Sequence, residues 1–325
     1  MSSLQMSRMA GLSRPPCSGC DVLTPNLVGP ECLPHGPAFR PPPALMSLHH
    51  IEVPGVTLCV DDIGQGEPLL LLPGMLCDTS LFEAQAHALA RHARVLRLDW
   101  RGHGFSTGPH QTRWDLSRLV EDVHAVCQSL QLDRVNLVGF SLGGMVALRY
   151  ALAHPTRVRS LALLNTSGSR EDLGRRLRFL VLSRLAGLLG PHPALTALAA
   201  REMFAPHFRR HARDTVVAWR RAIEKLDPGV VRGVVRMVAQ RGDVLREAQR
   251  LRGLPSLVLS SGRDLTAPPA HGHALARALA AHEVVLADAG HASPLEEPDL
   301  VLQVLDGFWR AHGVLPPRLT MALAA

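Results

Sequence analysis

Ser141, Asp264 and His291 are the residues of this chain whose types and order could together perform acyl transfer. Ser141 is the central residue of a Gly-x-Ser-x-Gly pattern at positions 139–143. A serine hydroxyl is a weak nucleophile at neutral pH, so it needs a base to take its proton and an acid to orient the base. The pattern therefore predicts a nucleophile at Ser141 only if the neighbouring elements expose its hydroxyl and bring a histidine and a carboxylate beside it.

The residues on either side of Ser141 favour that arrangement. Residues 135–140 form a short β-branched and aliphatic run, and residues 145–152 are good helix formers. Strand, tight turn and helix, in that order, are the context of a nucleophile elbow. The glycines at 139 and 143 remove side chains that would collide where the chain reverses, so the serine can adopt a strained backbone conformation. The alternative is an ordinary glycine-rich turn between a strand and a helix.

Each of the two expected partners of Ser141 follows a predicted strand. Asp264 comes shortly after residues 256–260, and His291 comes after residues 284–286. Sites in open parallel sheets lie beyond the carboxyl ends of the strands, and the chain order Ser, Asp, His is that of α/β-hydrolase triads. We therefore expect His291 as the base and Asp264 as the residue that orients it.

Other residues compete for these two roles. Asp288 is an alternative acid, although it lies close in sequence to His291. An acid would also be geometrically allowed after the predicted strand 158–164, but Asn165 stands there, which supports Asp264. The remaining histidines, such as His103 in a loop, make weaker candidates for the base.

The oxyanion formed during acyl transfer needs two N–H donors. The residue after the nucleophile, Leu142, supplies one. The best candidate for the second is Met75, in the loop after the apolar run 69–72, because Gly74 lets the backbone approach a substrate closely. The alternative is that Pro73-Gly74 is only a turn.

Short apolar strands alternate with helical patterns from residue 46 to 167 and again from 252 to 314. This alternation predicts an α/β fold with a mostly parallel central sheet flanked by helices. Between these two parts, residues 168–251 show only helical patterns, which predicts an inserted helical lid. Its expected helices cover residues 173–189, 194–204, 208–226 and 230–239. Residues 315–325 form a short apolar tail with no assignment.

Taken together, these features resemble the α/β-hydrolase superfamily over residues 48–312. The resemblance rests on the elbow, on Leu-Pro-Gly-Met at 72–75, on Asp-x-Arg-Gly-x-Gly-x-Ser at 99–106, and on the Gly-Arg-Asp and Gly-His pairs that contain the two partners. It implies the branch that holds small-ester hydrolases, enol-lactonases, C–C bond hydrolases and cofactor-free haloperoxidases, in which the 99–106 loop buttresses the site. One departure is that Pro73-Gly74 stands where relatives usually carry His-Gly. A serine nucleophile also argues against the similar haloalkane dehalogenases and epoxide hydrolases, which use aspartate.

The expected function is therefore a cofactor-free and metal-free serine hydrolase that cleaves a small carboxylic ester, thioester or lactone through an acyl-enzyme. The alternatives are C–C bond hydrolysis of a β-diketone-like substrate and a non-catalytic binding protein with the same fold. Phe140, Met203, Phe204 and Trp219 are the expected lining of an apolar substrate pocket, although packing of the lid onto the body would also explain such residues.

Composition narrows the partners. The chain has a net charge of +7, but its basic residues are scattered, only Lys225 is a lysine, and there is a single tyrosine. We therefore expect no nucleic-acid partner, because such proteins combine a basic stripe with aromatic side chains. No apolar run is long enough to span a bilayer, so no membrane partner is expected. The six cysteines have no disulfide-like spacing and no signal-type segment is present, so a cytoplasmic location is the expectation.

Residues 1–45 differ from the rest of the chain. Prolines interrupt any period, which predicts a disordered arm. Cys17, Cys20, Cys32 and His35 have spacings compatible with zinc, but no apolar pattern between them could build a zinc-binding module. Met46 directly precedes the first regular pattern, so translation starting there is an alternative.

Overall fold

The computed structural model describes residues 20–23, 46–108 and 114–316. Its strands are β1 (Cys20–Leu23), β2 (Met46–Val53), β3 (Val56–Ile63), β4 (Pro68–Leu72), β5 (Arg94–Asp99), β6 (Val135–Phe140), β7 (Val158–Leu164), β8 (Ser256–Ser261) and β9 (His282–Leu286). Its α-helices are α1 (Glu83–Leu89), α2 (Leu116–Ser129), α3 (Leu142–Ala153), α4 (Leu173–Leu189), α5 (Pro193–Met203), α6 (Pro206–His211), α7 (Arg213–Glu224), α8 (Pro228–Ala239), α9 (Leu245–Ala248), α10 (Pro269–Leu279), α11 (Ser293–Glu296) and α12 (Pro298–Ala311).

The described strands form one sheet in the order β1-β9-β8-β7-β6-β4-β5-β3-β2. The pairs from β5 through β4, β6, β7, β8 and β9 to β1 are parallel, whereas β2 and β3 are a hairpin that joins β5 antiparallel. β6, which leads to Ser141, therefore lies near the middle of the sheet. The expected α/β fold with a mostly parallel sheet is confirmed.

Helices cover both faces of the sheet, which explains why the central strand β4 is apolar at every position rather than at every second one. In β4, Leu70 and Leu72 join the core cluster that contains α2, α3 and α10, whereas Leu69 and Leu71 join the cluster under α1 and α12. All four leucines are fully buried. This double cover holds the carboxyl ends of the strands in a fixed arrangement.

Residues 168–251, between β7 and β8, form a helical insertion that contains α4 to α9. α8 connects the insertion to the body, because Val230 and Val234 pack into the main core while Val231 and Val235 pack against α4. The single helix expected at residues 208–226 is wrong. The chain forms α6 and α7 instead, separated at Ala212, whose φ of −108° and ψ of 50° are not helical.

The N-terminal segment also differs from expectation at one point. Cys20–Leu23 pairs in parallel with β9 at the edge of the sheet, so these four residues are not disordered. An edge strand offers unpaired backbone groups that a short extended segment can bond, and no sequence period is needed for this. The rest of the proposed zinc set, Cys17, Cys32 and His35, lies outside the described residues.

Candidate active site

Ser141 sits in the turn between β6 and α3 with a φ of 51° and a ψ of −112°. A residue other than glycine in such a conformation costs on the order of 1–3 kcal/mol. The surrounding structure holds it there, because the Ser141 N–H donates to the Leu164 carbonyl at 2.9 Å and the Ser141 carbonyl accepts the Thr166 hydroxyl at 2.6 Å. The strain and its restraints are those expected of a nucleophile elbow.

Gly139 and Gly143, on either side of the turn at Ser141, have no room for a side chain. A Cβ atom on Gly139 would overlap the carbonyl of Gly143, and one on Gly143 would overlap the carbonyl oxygen of Leu72 in the neighbouring strand. Neither neighbour can move aside, since both are backbone atoms in the centre of the fold. The Gly-x-Ser-x-Gly pattern is therefore a consequence of close backbone approach on both sides of the serine.

Ser141, His291 and Asp264 form one line of hydrogen bonds. The Ser141 Oγ lies 2.9 Å from Nε2 of His291, and Nδ1 of His291 donates to Oδ2 of Asp264 at 2.7 Å. The side chains of His291 and Asp264 are almost completely buried. Because a carboxylate can only accept, the bond at Nδ1 leaves Nε2 free to accept the serine proton.

Asp264 is itself held by further donors. The N–H groups of Thr266 and Ala267 donate to its Oδ1, each at 2.7 Å, and Asn165 Nδ2 donates to Oδ2 at 3.0 Å. These bonds compensate for burying the carboxylate and fix its orientation. Asp288, the alternative acid, instead pairs with Arg263 at the exposed surface, at 2.7 Å.

Asn165, which was not among the site residues predicted from the sequence, contacts Asp264 directly. Its Oδ1 accepts the Ser293 hydroxyl at 2.6 Å, so it connects the acid loop with the turn after His291. Its φ of 48° is unusual for a residue other than glycine, and asparagine tolerates it better than most residues. Its place directly after β7, beside the predicted acid, was the available signal.

The two predicted oxyanion donors lie on either side of Ser141. Leu142 begins α3, where the first N–H groups of a helix have no partner within the helix. Met75 lies in the loop after β4 and lines the same cavity as Ser141. The next residue, Leu76, has a φ of 59°, so the backbone of this loop is strained close to Ser141. In the part of the chain that the structure describes, neither N–H donates to a backbone carbonyl.

The loop at residues 99–106 packs against the loop that contains Pro73 and Met75. The indole N–H of Trp100 donates to the Pro73 carbonyl at 2.9 Å. The Asp99 carboxylate accepts the N–H groups of Thr79 and Phe105, and burial raises its pKa to about 6. These contacts agree with the buttressing role that the resemblance implied.

A second buried carboxylate, Glu296, was not identified from the sequence. Its Oε2 accepts the N–H groups of Gly290, next to His291, and of Ala205 in the helical insertion, each at 3.0 Å. Burial raises its pKa to about 7. The sequence does not indicate which of the two adjacent glutamates, Glu296 or Glu297, has its carboxylate buried.

An apolar cavity of about 140 Å³ begins at Ser141 and His291 and extends into the helical insertion. Met203 and Trp219, two of the four residues expected to line a substrate pocket, are part of the wall of this cavity. The charged residues in its wall are Arg178 and Glu202, which pair with each other. The cavity therefore offers space for an apolar group next to the serine hydroxyl, with no unpaired charge to bind an ionic one.

The expectation that Phe140 and Phe204 line this pocket is corrected. Phe140 is fully buried at the end of β6, with its ring 5.0 Å from the His291 ring and against Gly74. Phe204 is buried in a cluster in which its ring stacks on Phe208 and lies perpendicular to the ring of Trp219. Neither ring lines the cavity, because both are buried behind the side chains that form its wall.

Across the described residues, no three His, Cys, Asp or Glu side chains are close enough to hold a metal ion. In the same ranges, no helix has both the length and the apolar composition needed to cross a bilayer. Cys59, Cys77 and Cys127 are free and buried.

Comparison with known proteins places the chain in a family. Residues 67–298 match the model of the alpha/beta hydrolase fold family. The dihydrolipoyllysine-residue acetyltransferase component of the acetoin cleaving system of Pseudomonas putida is 30% identical over 256 residues, which are 76% of this chain and 64% of that protein. This chain therefore spans less than two thirds of the length of that relative.

Two solved structures are similar over nearly their whole length. An esterase from Thermogutta terrifontis is 26% identical with a TM-score of 0.74, covering 83% of this chain and 99% of its own. The enol-lactonase from Burkholderia xenovorans LB400 is 27% identical with a TM-score of 0.73, covering 81% and 99%. This chain belongs to the α/β-hydrolase family, and it is an enzyme of the hydrolase type.

Proposed function

We propose that this protein is a serine hydrolase that cleaves a carboxylic ester, thioester or lactone with an apolar acyl group. The observation that carries the proposal is the unbroken line of hydrogen bonds from Asp264 through His291 to Ser141. The Ser141 end of this line faces an apolar cavity. A line of this kind makes a serine hydroxyl nucleophilic without a metal or an organic cofactor.

The first half of the reaction acylates the enzyme. The Ser141 Oγ attacks the substrate carbonyl carbon while its proton passes to Nε2 of His291, and Asp264 stabilises the imidazolium through Nδ1. The N–H groups of Met75 and Leu142 bind the oxyanion of the tetrahedral intermediate. The C–O or C–S bond then breaks, and the leaving alcohol or thiol takes the proton from His291, which leaves an acyl-enzyme.

The second half regenerates the serine. His291 removes a proton from water, and the hydroxide attacks the acyl carbonyl with the oxyanion in the same site. When the bond to the Ser141 Oγ breaks, His291 returns the proton to this oxygen and the carboxylic acid leaves. In a lactone, the leaving alcohol and the acyl group belong to one molecule, so a hydroxy acid is the single product.

The helical insertion is proposed to act as the lid of this site and to set the acyl preference. Residues of α4, α5, α7 and α8 line the cavity. The insertion also forms hydrogen bonds with the two loops that contain Asp264 and His291. Arg175 donates to the Leu265 carbonyl at 3.0 Å next to Asp264, and Ala292 N–H donates to the Met203 carbonyl at 3.0 Å next to His291.

The test is hydrolysis of p-nitrophenyl esters from acetate to decanoate, measured for the wild type, Ser141→Ala and the matched control Ser129→Ala at an exposed position on α2. We expect Ser141→Ala to lower kcat by about 10⁶-fold, the scale found for loss of a serine nucleophile, and Ser129→Ala to have no effect. Stoichiometric labelling of the wild type, but not of Ser141→Ala, by a fluorophosphonate tests the nucleophile independently of the substrate.

Two results would select the alternatives. Fluorophosphonate labelling without turnover of any ester, together with turnover of a β-diketone, would favour C–C bond hydrolysis by the same triad. The absence of both turnover and labelling would contradict the hydrolase mechanism and favour a binding protein.

A further inference from the structure

Helix α4 has an apolar face that the rest of the described chain does not cover. Leu173, Leu177 and Leu188 are 81%, 62% and 82% exposed, and Val181 and Leu185 between them are also exposed. Their spacing of three or four residues places them along one side of the helix. Together with Leu189, they make up more than half of the large exposed apolar side chains in the described residues.

The opposite side of α4 is already used for packing. Ala186 packs with Val231 and Val235 of α8, and Phe179 packs against this cluster. α4 is therefore apolar on two faces, of which only one is needed to hold the insertion together. A contiguous exposed apolar face of this size is uncommon in a monomer and indicates an interaction surface.

The charge beside this face identifies the kind of partner. Residues 168–251 contain seventeen Arg and Lys against eight Asp and Glu, a net charge of +9, whereas the whole chain carries +7. The remaining residues therefore carry −2. Arg176, Arg184 and Arg232 are exposed beside the apolar face, and the Arg232 stem lies against Gly187 of α4. Among the described residues, none of these three side chains has an ion-pair partner.

We propose that the outer face of α4 docks on an anionic lipid surface. The leucines would enter the boundary between the headgroups and the acyl chains, and the arginines would bind lipid phosphates, which is how amphipathic helices lie on membranes. A second copy of the chain fits less well, because α4 packed on its symmetry mate would bring these arginines near one another in an insertion with few acids. No spanning helix is needed for such docking, so the proposal departs from the sequence-based expectation of no membrane partner only in adding a contact with the bilayer surface.

The docking face is joined to the cavity through α4 itself. Phe179 and Leu182 line the cavity that ends at Ser141. A docked α4 would place the cavity next to the lipid surface, so substrates that partition into lipid would reach it directly. This last consequence rests on the proposed function, whereas docking does not.

The experiment is co-sedimentation of the full chain with vesicles of phosphatidylcholine alone and of equimolar phosphatidylcholine and phosphatidylglycerol. The wild type and Ser141→Ala should both sediment with the anionic vesicles and much less with the neutral ones. Leu177→Ser/Leu188→Ser should lower the partition coefficient by about a hundredfold, because each of the two buried leucines contributes on the order of one tenfold step. The control Leu48→Ser/Phe105→Ser, at exposed apolar positions outside the insertion, should bind as the wild type does.

The charge is tested separately. Arg184→Gln/Arg232→Gln should weaken binding to anionic vesicles by about thirtyfold, since each basic residue near an anionic surface contributes about 1 kcal/mol. The control Arg91→Gln/Arg277→Gln, at two exposed arginines outside the insertion, should bind as the wild type does. Circular dichroism and thermal unfolding check that the variants fold.

Two results would overturn the proposal. The first is failure of the wild type to bind anionic vesicles. The second is binding that the Leu177→Ser/Leu188→Ser variant leaves unchanged. If the first result comes with a wild-type dimer in analytical ultracentrifugation that this variant dissociates, a second copy of the chain covers the face instead.

Discussion

Replacing Glu296 by glutamine is expected to change how the free energy of unfolding depends on pH. Glu296 is buried between the His291 loop and the helical insertion, and burial raises its pKa to about 7 from an ordinary value of 4.5. Between these two values, the folded chain keeps a proton that the unfolded chain has released. Ionisation of Glu296 therefore leaves the free energy of unfolding unchanged below pH 4.5 and lowers it by the full amount above pH 7.

The size of the effect follows from the shift in pKa. One pKa unit corresponds to about 1.4 kcal/mol, so the full cost is roughly 3.5 kcal/mol, of which about 2.5 kcal/mol develops between pH 5 and pH 8. Glutamine has no charge to bury, and its carbonyl oxygen can accept the N–H groups of Gly290 and Ala205 in place of Oε2. We expect the stability of Glu296→Gln, relative to wild type, to rise by about 2.5 kcal/mol over this range.

The assay is urea unfolding of both proteins, followed by tryptophan fluorescence at intervals from pH 5 to pH 8. The difference between the two curves cancels other titrating groups, such as Asp99, that both proteins share. The matched control is Glu121→Gln, at an exposed glutamate on α2, whose curve should stay parallel to that of the wild type. Parallel curves for wild type and Glu296→Gln would refute the reasoning, because they would mean that the carboxylate is not desolvated in the folded state.

Further predictions concern the elbow, the acid and the cavity. Gly143→Ala should lower the free energy of unfolding by about 3 kcal/mol or more, because its Cβ would overlap a backbone carbonyl of the neighbouring strand. The control Gly307→Ala, on α12 with no atom near the added Cβ, should raise the free energy of unfolding by roughly 0.5–1 kcal/mol. Thermal unfolding of both variants measures these changes. Asn165→Gly keeps the positive φ but removes one donor to Asp264, so kcat for a p-nitrophenyl ester should fall about tenfold with KM little changed; an equal kcat would show that the amide does not position the acid. Ala186→Leu should shift the preferred ester toward shorter acyl chains, because Ala186 is part of the cavity wall; an unchanged chain-length profile would place the acyl group elsewhere.

The elements of the body were predictable from the sequence because their signals are local. The run 69–72 is apolar at every position, and the strand–glycine–helix pattern around Ser141 has few alternative structures. The insertion was predicted as helical, but its division at Ala212 was not, since no proline or glycine marks the break. Cys20–Leu23 was missed because its pairing depends on a free edge of β9, more than two hundred residues away.

By itself, the sequence determined which residues occupy the three positions that the structure joins by hydrogen bonds. Chain order and strand ends were sufficient for Asp264 and His291, because parallel strands end at a common edge. Only the tertiary structure decided which of the adjacent Glu296 and Glu297 is buried, that Phe204 packs behind the cavity, and that α4 leaves a leucine face exposed. These outcomes depend on what lies against a side chain, and packing between distant segments has no local pattern from which it could be predicted.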